Sequence, residues 1–476
     1  MRSYFVWRTI PNVLGVALFG IFPLFAQTSP CSSFSPPFNG QPAISITLPL
    51  IYGGVLVTQQ DAAFDCMMWQ TFIYLNWPAK PGQRGVANTQ ATFGSSGQTV
   101  WESFKSIADT FPANGQNPGP WNSSVLTPSA LNSSLSSALR QRIASGRLRM
   151  LSQTSKISSI LLDNVPTSLS DIMQVGGGVL VDQAGANVYY EIALNETEYE
   201  YIVVNTLYEA ATQYAFAKNQ GISLPIGTTA PQSAGSIEIK AAWKVLTSAE
   251  LNARPVRFHT AQALLPGSSS PVTVGLVGLH IAQRAANMFQ LVWATFSQID
   301  NAPPVNISPT TGSFSFYKVG CAVTDCPVNQ KTTPPEPTQV MEATQVPSEA
   351  EQINGFVQNL IKAGNPSSPW QFYRLVNVQW PTAAIPLPSQ PLPSSASNPP
   401  NGSPNTTNLL NPVLETFFQS RTLSCLACHQ QANSANPANA PANFPASYSF
   451  AFLHATSAPV GTHLRRASRP IPGKAN

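Results

Sequence analysis

The chain has 476 residues and a formal net charge of +4, and only 10% of its residues are charged, against about 25% in average soluble proteins. This composition excludes charge-driven disorder, and it excludes a nucleic-acid-binding protein that depends on a dominant basic patch. Hydrophobic residues make up 43% of the chain, so it can bury a substantial core.

The first 26 residues have the pattern of a secretory signal peptide. Arg2 and Arg8 give a basic start, residues 12–26 form an apolar stretch, and cleavage after Ala26 would leave Gln27 as the new terminus. These 15 residues are fewer than the roughly 20 that a membrane-spanning helix needs, so a cleaved signal is favoured over a retained anchor. No later run reaches 18 consecutive apolar residues, which excludes a polytopic membrane protein. We therefore expect a periplasmic or secreted protein with no stable membrane span after cleavage.

An exported chain meets an oxidising compartment, in which cysteines tend to form disulfides. The six cysteines are Cys31, Cys66, Cys321, Cys326, Cys425 and Cys428. Cys321 and Cys326 are close enough in sequence for a small disulfide loop, and Cys31 and Cys66 would then pair across an early loop. Four cysteines allow three pairings, and buried thiols are the alternative for each pair, so the sequence leaves the connectivity open.

Residues 27–380 predict a large body of mixed helices and strands, which places the chain in the α+β class. Asn195 and Glu198 have the spacing of a capping pair at the start of a helix. In chain order, the hydrophobic pattern predicts strands and turns over 27–60, a buried helix at 65–77, a solvated basic helix face over 137–150, a hairpin at 178–192, a helix from 196 to about Lys218, strands at 236–246 and 272–283, a strand or helix at 289–299, a helix at 353–363 and a strand at 374–380.

The composition changes after residue 380. Residues 381–404 contain eight prolines, which predicts a semi-rigid connector or a surface loop. Residues 405–476 follow as a short segment that we expect to be mainly helical, with one helix over NLLNPVLETFFQS (408–420) and a basic tail at the end.

Residues 425–429 read Cys-Leu-Ala-Cys-His, which is the C-x-x-C-H signature of c-type haem attachment. Two cysteines three apart on a helical turn face the same side, where their thiols can form thioethers with the two vinyl groups of a porphyrin. The next residue, His429, then projects toward the iron as its proximal ligand. The motif occurs once, so we predict one covalent haem c held by Cys425, Cys428 and His429.

Haem attachment is favoured over three other uses of this motif. A thioredoxin-like thiol pair would open a helix after an early strand, whereas this motif lies 48 residues from the C-terminus. A zinc site would need a second ligand cluster at metal spacing, and the sequence has none. A plain disulfide would leave the adjacent histidine unexplained.

The sixth iron ligand is not fixed by the motif. No methionine follows residue 341, so the downstream methionine of compact electron-transfer cytochromes is missing. His280, in a strand-like run, and His454, in an apolar run, are the leading candidates, while a five-coordinate iron would suit gas binding or peroxide chemistry. Other upstream candidates are His259, Met288 and Met341.

The segment that carries the motif is short for an independent cytochrome fold. We therefore expect the haem to pack against the body, which would shield one face and supply any sixth ligand. The aromatic residues expected to form that wall are Trp243, Trp293, Phe296 and Trp380.

Several segments of the chain resemble a family of exported bacterial cytochrome c proteins. These segments are WQTFIYLNWPA (69–79), WESFK (101–105), IKAAWKVL (239–246), GLVGLHIAQR (275–284), WATFSQIDN (293–301), CAVTDCP (321–327), LVNVQWP (375–381) and LETFFQSRTLSCLACHQQA (414–432). The resemblance spans nearly the whole mature chain and assigns Cys425, Cys428 and His429 to haem. It implies haem binding and electron transfer in a bacterium, and it implies no substrate.

Together these features predict an exported monohaem c-type cytochrome that exchanges single electrons with a redox partner protein in the periplasm. A peroxidase-like haem oxidoreductase is an alternative that would need an open iron site and a distal base. A haem-based sensor or binding module is a further alternative, but such modules are normally fused to a recognisable output domain. An electron carrier is therefore favoured over an enzyme with its own substrate.

Overall fold

The computed structural model describes residues 31, 61–125, 135–151, 178–229, 232–286, 288, 290–322, 324–382, 391–394, 398, 404–406, 409–418, 424–437 and 443–457. The expected signal peptide, the strands and turns predicted for 27–60, and the basic tail lie outside these residues, Cys31 excepted. Helices and a large sheet together confirm the predicted α+β class. Within the described ranges, every helix is too short or too polar to cross a bilayer.

Helices and strands are each numbered in chain order. The helices are α1 (Asp61–Leu75), α2 (Ile107–Thr110), α3 (Ser137–Ala144), α4 (Glu196–Val204), α5 (Ala210–Asn219), α6 (Ser248–Asn252), α7 (Ser348–Gly364) and α8 (Cys425–His429). The strands are β1 (Lys105–Ser106), β2 (Arg149–Met150), β3 (Val188–Leu194), β4 (Thr228–Thr229), β5 (Gln232–Ser233), β6 (Ile237–Val245), β7 (Thr260–Leu264), β8 (Val272–Gln283), β9 (Val292–Gln298) and β10 (Tyr373–Gln379). Short 3₁₀ turns occupy Trp101–Ser103, Pro369–Phe372, Thr416–Phe418 and Phe450–His454.

An eight-stranded sheet organises the molecule. Its strands follow the order β1-β3-β6-β8-β7-β2, and β9 pairs with β8 and with β10. The pairs are antiparallel except for β2 with β7. The long strand β8 pairs with β7 through its first residues and with β9 through its last ones. The sheet therefore branches at β8, and β8 is its central strand.

One face of this sheet carries the main hydrophobic core. Leu279 and Phe296 are directly paired across β8 and β9 and are fully buried with the aromatic residues of α1. Asn354 of α7 links α1 to β10, because its Oδ1 accepts hydrogen bonds from the Trp69 indole N–H at 3.0 Å and from the Leu375 backbone N–H at 2.9 Å. Helix α1 is buried on most sides, as expected for a helix with an apolar residue at nearly every position.

The opposite face of the sheet receives the C-terminal segment. Successive residues of a strand point to opposite faces, so Gly278, His280 and Ala282 lie on the face away from α1. A Cβ built on Gly278 would stand 2.6 Å from Val413, and the Tyr190 hydroxyl donates to the Val413 carbonyl at 3.0 Å. The segment that leads into the C-x-x-C-H motif is thus seated directly on the sheet.

Two predicted helices differ from the structure. The helix expected from 196 to Lys218 is two helices, α4 and α5, because Thr206 adopts a left-handed conformation with φ of 56° and Glu209 caps the second helix. The described part of the helix expected over 408–420 contains only the 3₁₀ turn Thr416–Phe418. Here Asn411 donates to Thr295 and to the Phe296 carbonyl on β9, and these bonds to the sheet override the helical pattern.

The basic run over 137–150 is only partly a solvated helix face. Helix α3 ends at Ala144, and Arg149 lies on β2, where its side chain is 10% exposed. Its guanidinium pairs with Glu191 at 2.7 Å and Glu102 at 3.4 Å. The expectation for Arg149 was wrong because a cation held by two carboxylates tolerates burial.

The remaining predictions for the body agree with the structure. The ambiguous stretch 289–299 forms the strand β9, and the helix and strand expected at 353–363 and 374–380 are α7 and β10. The disulfides are Cys31–Cys66 and Cys321–Cys326, which is the suggested pairing among the three that the sequence left open.

Candidate functional site

The Cys-Leu-Ala-Cys-His sequence forms the short helix α8. Ser424 caps it by accepting the Ala427 N–H at 3.3 Å, and Gln379 at the end of β10 accepts the Leu426 N–H at 2.8 Å. The two disulfides use the other four cysteines and leave out Cys425 and Cys428. One helical turn therefore presents two half-buried cysteines and an adjacent histidine, anchored to the edge of the sheet.

The orientation of the His429 ring is fixed by the chain that returns to it. Its Nδ1 lies 2.7 Å from the carbonyl oxygen of Tyr448. A carbonyl oxygen only accepts hydrogen bonds, so this contact assigns the proton to Nδ1. Nε2 then carries the lone pair that a metal ion requires. A backbone carbonyl on the second nitrogen is the usual partner of a metal-ligating histidine.

Two aromatic rings hold the imidazole from the sides. The ring of Trp293 lies 4.2 Å from that of His429 between centroids, and the ring of Phe450 lies at 4.9 Å. Trp293 belongs to β9 and is buried. Of the four aromatic residues expected to form a wall, Trp293 is the one in ring contact with the motif. Phe296 and Trp243 pack in the core on the opposite face, and Trp380 stacks on Phe64 at 4.4 Å.

Asn398, inside the proline-rich stretch, hydrogen-bonds both segments that form the site, the one that follows α8 and the one that contains Tyr448. Its side-chain amide donates to the carbonyls of Gln430 and Ala432 at 3.0 and 2.7 Å, and its Oδ1 accepts the Tyr448 N–H at 3.2 Å. The stretch 381–404 also begins and ends at one place, since Pro381 and Pro404 are bridged.

The strand register identifies the surface beneath the motif. Trp293 is paired with Ala282, and Ala282 is paired with Glu238 on β6. In the next row, His280 is paired with Lys240. Paired residues of an antiparallel sheet share a face, so these side chains lie on one surface. We call this surface, made of Glu238, Lys240, His280, Ala282 and Trp293, the motif face.

Of the two histidines expected as sixth ligands, His280 belongs to the motif face and His454 lies near its Lys240. The Nε2 of His280 lies 3.3 Å from an oxygen of Glu415. His454 ends the 3₁₀ turn that begins at Phe450, and burial together with the charge of Lys240 lowers its pKa to about 4. A lowered pKa keeps His454 neutral at physiological pH, which is the form that binds metals. Ligation of iron by either residue stays a prediction.

His259, one of the other upstream candidates, lies elsewhere. Its ring stacks on Trp370 at 4.5 Å, and its Nε2 is 3.1 Å from Glu102. These residues belong to the buried network that also holds Arg149. The same sheet therefore separates His259 from the motif face.

Glu238 of the motif face and two charged residues near it, Glu198 and Arg284, were not recognised from the sequence as parts of a site. Glu198, expected to cap α4, is fully buried next to Glu238, and only Asn195 acts as the cap. Arg284 is also buried, and its Nη1 donates to the Leu224 carbonyl and to Ser223 and Ser447. Burial lowers the pKa of Arg284 to about 10. The alternation Ile237-Glu238-Ile239-Lys240 was the available signal, because it places two charges on one face of β6.

The residues at this site fit a c-type haem by the chemistry of their donors. Two cysteines and a histidine with an assigned Nδ1 proton are the groups that such a haem needs from its protein. The indole Nε1 of Trp293 is buried and has no hydrogen-bond partner among the described residues. An unsatisfied buried donor costs roughly 1–3 kcal/mol, and haem propionates are acceptors that would satisfy it.

A bare metal ion would need more protein ligands than a haem iron, which takes four from its porphyrin. Across the described ranges, no group of three or more His, Cys, Asp or Glu side chains is placed to hold an ion.

Comparisons with known proteins add no assignment. No protein-family model matches the chain, and no curated protein or solved structure matches it. The function is therefore inferred from the residues of the site.

Proposed function

We propose that this protein is an exported monohaem c-type cytochrome that binds its haem covalently and transfers single electrons. The observation that carries the proposal is the contact between His429 Nδ1 and the Tyr448 carbonyl. That contact leaves Nε2 as the metal-binding nitrogen, on the same helical turn as two cysteines. The C-x-x-C-H spacing and the resemblance to exported bacterial cytochrome c proteins support the same proposal.

In this proposal each residue of the site has a defined task. Cys425 and Cys428 hold the porphyrin through thioethers, and His429 supplies the proximal ligand from Nε2. Bound haem c would supply a one-electron redox couple whose potential depends on its axial ligands and surroundings. Trp293 packs on the His429 imidazole, and its unpartnered Nε1–H would be available to a haem propionate. The Tyr448 carbonyl makes His429 a stronger ligand by accepting its second proton.

The place of action follows from the same features. A signal-like start and two disulfides favour the periplasm or the cell exterior, where disulfides persist. Covalent attachment also retains a cofactor that could otherwise diffuse away outside the cell. The partner in this proposal is a redox protein of the same compartment.

The test is maturation of the protein in a host that assembles c-type cytochromes. Wild type should carry haem that survives denaturing electrophoresis, and Cys425→Ala/Cys428→Ala should lose it. Cys321→Ala/Cys326→Ala is the matched control, because it removes two cysteines that lie outside the motif, and it should keep the haem. Absence of haem from wild type, or its retention in Cys425→Ala/Cys428→Ala, contradicts the proposal.

Absorption spectra of the oxidised and reduced protein then define the sixth position. A low-spin reduced spectrum indicates a filled position and favours electron transfer. His280→Ala and His454→Ala identify the ligand, because only its loss converts the spectrum to high spin. A high-spin wild-type spectrum that changes with peroxide or carbon monoxide would instead favour the peroxidase-like or sensor function.

A further inference from the structure

Two carboxyl groups, those of Glu198 and Glu238, interact with each other at the edge of the motif face. Glu238 is paired with Leu194 on one side and with Ala282 on the other. Glu198, near the start of α4, is fully buried. Both oxygens of Glu198 and the Oε1 of Glu238 are shielded from solvent. Among the described residues, neither side chain of this acid pair caps a helix or takes part in an ion pair.

The acid pair is connected to the proposed haem ligand by a short chain of contacts. The fully buried Ser449 lies within reach of the Glu238 carboxyl group and favours its ionised form. Ser449 lies between Tyr448, whose carbonyl bonds His429, and Phe450, whose ring packs on His429. A change in charge at His429 therefore acts on the pair across a few buried residues, where charges are screened much less than in water.

The charged groups around the pair are few and come from three elements. Lys240 lies two residues along β6 and favours the ionised form of Glu238. On β8 and just beyond it, His280 and Arg284 lie on the same face as Ala282. His454 approaches from the C-terminal segment, near Lys240. The only carboxylates that act on each other here are Glu198 and Glu238, among the interactions that the described residues show.

Two adjacent carboxyls whose oxygens are mostly shielded from solvent cannot both ionise readily. Burial raises the pKa of Glu198 well above its usual range, and the neighbouring Glu238 raises it further. Burial also raises the pKa of Glu238, although Ser449 and Lys240 oppose that effect. Three of the four carboxyl oxygens are buried, so the pair favours a state in which one carboxyl keeps its proton, and it behaves as one titrating unit.

We propose that Glu198 and Glu238 form a redox-linked proton site, which releases one proton for each electron that leaves the protein and takes one up for each electron that returns. This inference rests on the proposed function. On oxidation, one electron passes to a one-electron acceptor protein, one carboxyl O–H bond breaks, and the proton goes to solvent. The added positive charge at the haem is balanced by the new carboxylate. Reduction reverses each change.

The experiment is a spectroelectrochemical titration of the haem-loaded protein between about pH 5 and 9. A tenfold change in proton activity corresponds to about 59 mV for a one-electron couple with one coupled proton. The wild-type potential should fall toward that slope as pH rises through the titration of the pair. Glu238→Gln and Glu198→Gln/Glu238→Gln should flatten it, because glutamine keeps the shape and cannot ionise. Glu196→Gln, an exposed residue on the same helix, is the matched control and should keep the slope.

A second measurement uses wild type alone, so it does not depend on the folding of any variant. The redox difference infrared spectrum should show a protonated carboxyl band that disappears on oxidation. Haem-loaded wild type with a flat potential and no such band overturns the proton site and leaves the proposed function intact. An unchanged slope in Glu198→Gln/Glu238→Gln overturns it equally. Absence of haem from wild type overturns both proposals.

Discussion

The Nδ1 of His429 lies 2.7 Å from the carbonyl oxygen of Tyr448, a residue 19 positions further along the chain. The motif is thus completed by a segment that leaves α8, turns, and returns with Tyr448 buried against Trp293 and Leu426. Asn398 joins the same two segments. Helix α8 spans only five residues, so its geometry depends on these tertiary contacts more than on helix propensity.

Trp293 should matter in different ways with and without haem. Trp293→Phe keeps a ring against His429 and removes the unsatisfied Nε1–H. In the haem-free Cys425→Ala/Cys428→Ala background, we expect little loss of unfolding free energy beyond that of a smaller ring. In haem-loaded protein, we expect an additional loss of about 1–3 kcal/mol, since a bond to a charged acceptor is removed. Urea unfolding of both forms measures the difference.

Trp243→Phe is the control for this comparison. The Trp243 Nε1 donates to Glu191 at 2.9 Å on the other side of the sheet, so its loss should cost the same with and without haem. If Trp293→Phe behaves like Trp243→Phe, the indole of Trp293 is not a haem contact.

Gly278 should control how closely the C-terminal segment sits on the sheet. A Cβ at Gly278 would stand 2.6 Å from Val413 and 3.2 Å from Leu414. Gly278→Ala should therefore lower the free energy of unfolding by about 1–3 kcal/mol, as overpacking does. Gly355→Ala, inside α7 where a Cβ meets nothing within 4 Å, should raise it by about 0.5–1 kcal/mol. If Gly278→Ala and Gly355→Ala changed the free energy of unfolding in the same direction, this account of the interface would be contradicted.

The sequence predicted those features that depend on local chemistry. The spacing of the cysteines and histidine at 425–429 was enough to recognise the motif. The hydrophobic periods were enough to predict β6, β8 and α7. The sequence suggested the disulfide pairing but left the connectivity open, and the structure selects Cys31–Cys66 and Cys321–Cys326. Whether His429 binds haem is a separate matter, and it stays a prediction.

Features that depend on distant partners were not predictable from the sequence. Glu198 has the spacing of a capping residue, but Glu238, 40 residues later in the chain, pairs with it beneath the C-terminal segment. The helical pattern over 408–420 is outweighed by the hydrogen bonds that Asn411 donates to β9. The sequence pattern predicted Arg149 as a surface cation, but two carboxylates from distant elements, Glu102 and Glu191, pair with it in the structure. In each case a long-range contact outweighed the local preference.

Asn354 should be among the residues most important for stability on the α1 side of the sheet. Its side chain accepts hydrogen bonds from the Trp69 indole N–H and the Leu375 N–H and donates one to the Leu375 carbonyl, at 2.8–3.0 Å. Asn354→Ala leaves these buried groups unsatisfied, and each costs about 1–3 kcal/mol. We expect a loss of at least about 3 kcal/mol in urea unfolding. Asn359→Ala, exposed on the same helix, should be neutral or slightly stabilising, and an equal loss in both variants would refute the assignment.

Glu102 should make stability depend on acid pH. Burial tends to raise its pKa, but His259, Arg149 and the Thr99 N–H outweigh that effect and lower the pKa to about 2. The unfolded chain, with a glutamate of ordinary pKa, therefore binds more protons than the folded chain between about pH 2 and 4.5. Stability from Glu102 is complete above this window and is lost as pH falls through it, to a total of about 3 kcal/mol.

Glu102→Gln tests this dependence, because glutamine cannot ionise. The variant should be less stable than wild type at pH 7, since it leaves Arg149 and His259 without one carboxylate. Its free energy of unfolding should also change less than that of wild type between about pH 4.5 and the acid limit of folding. Glu336→Gln, at an exposed position, should follow the wild-type profile in urea titrations at each pH. If the free energy of unfolding of Glu102→Gln and of wild type changed in parallel with pH, other carboxylates would govern acid unfolding. The contacts of Glu102 with Arg149 and His259 would then contribute nothing to it.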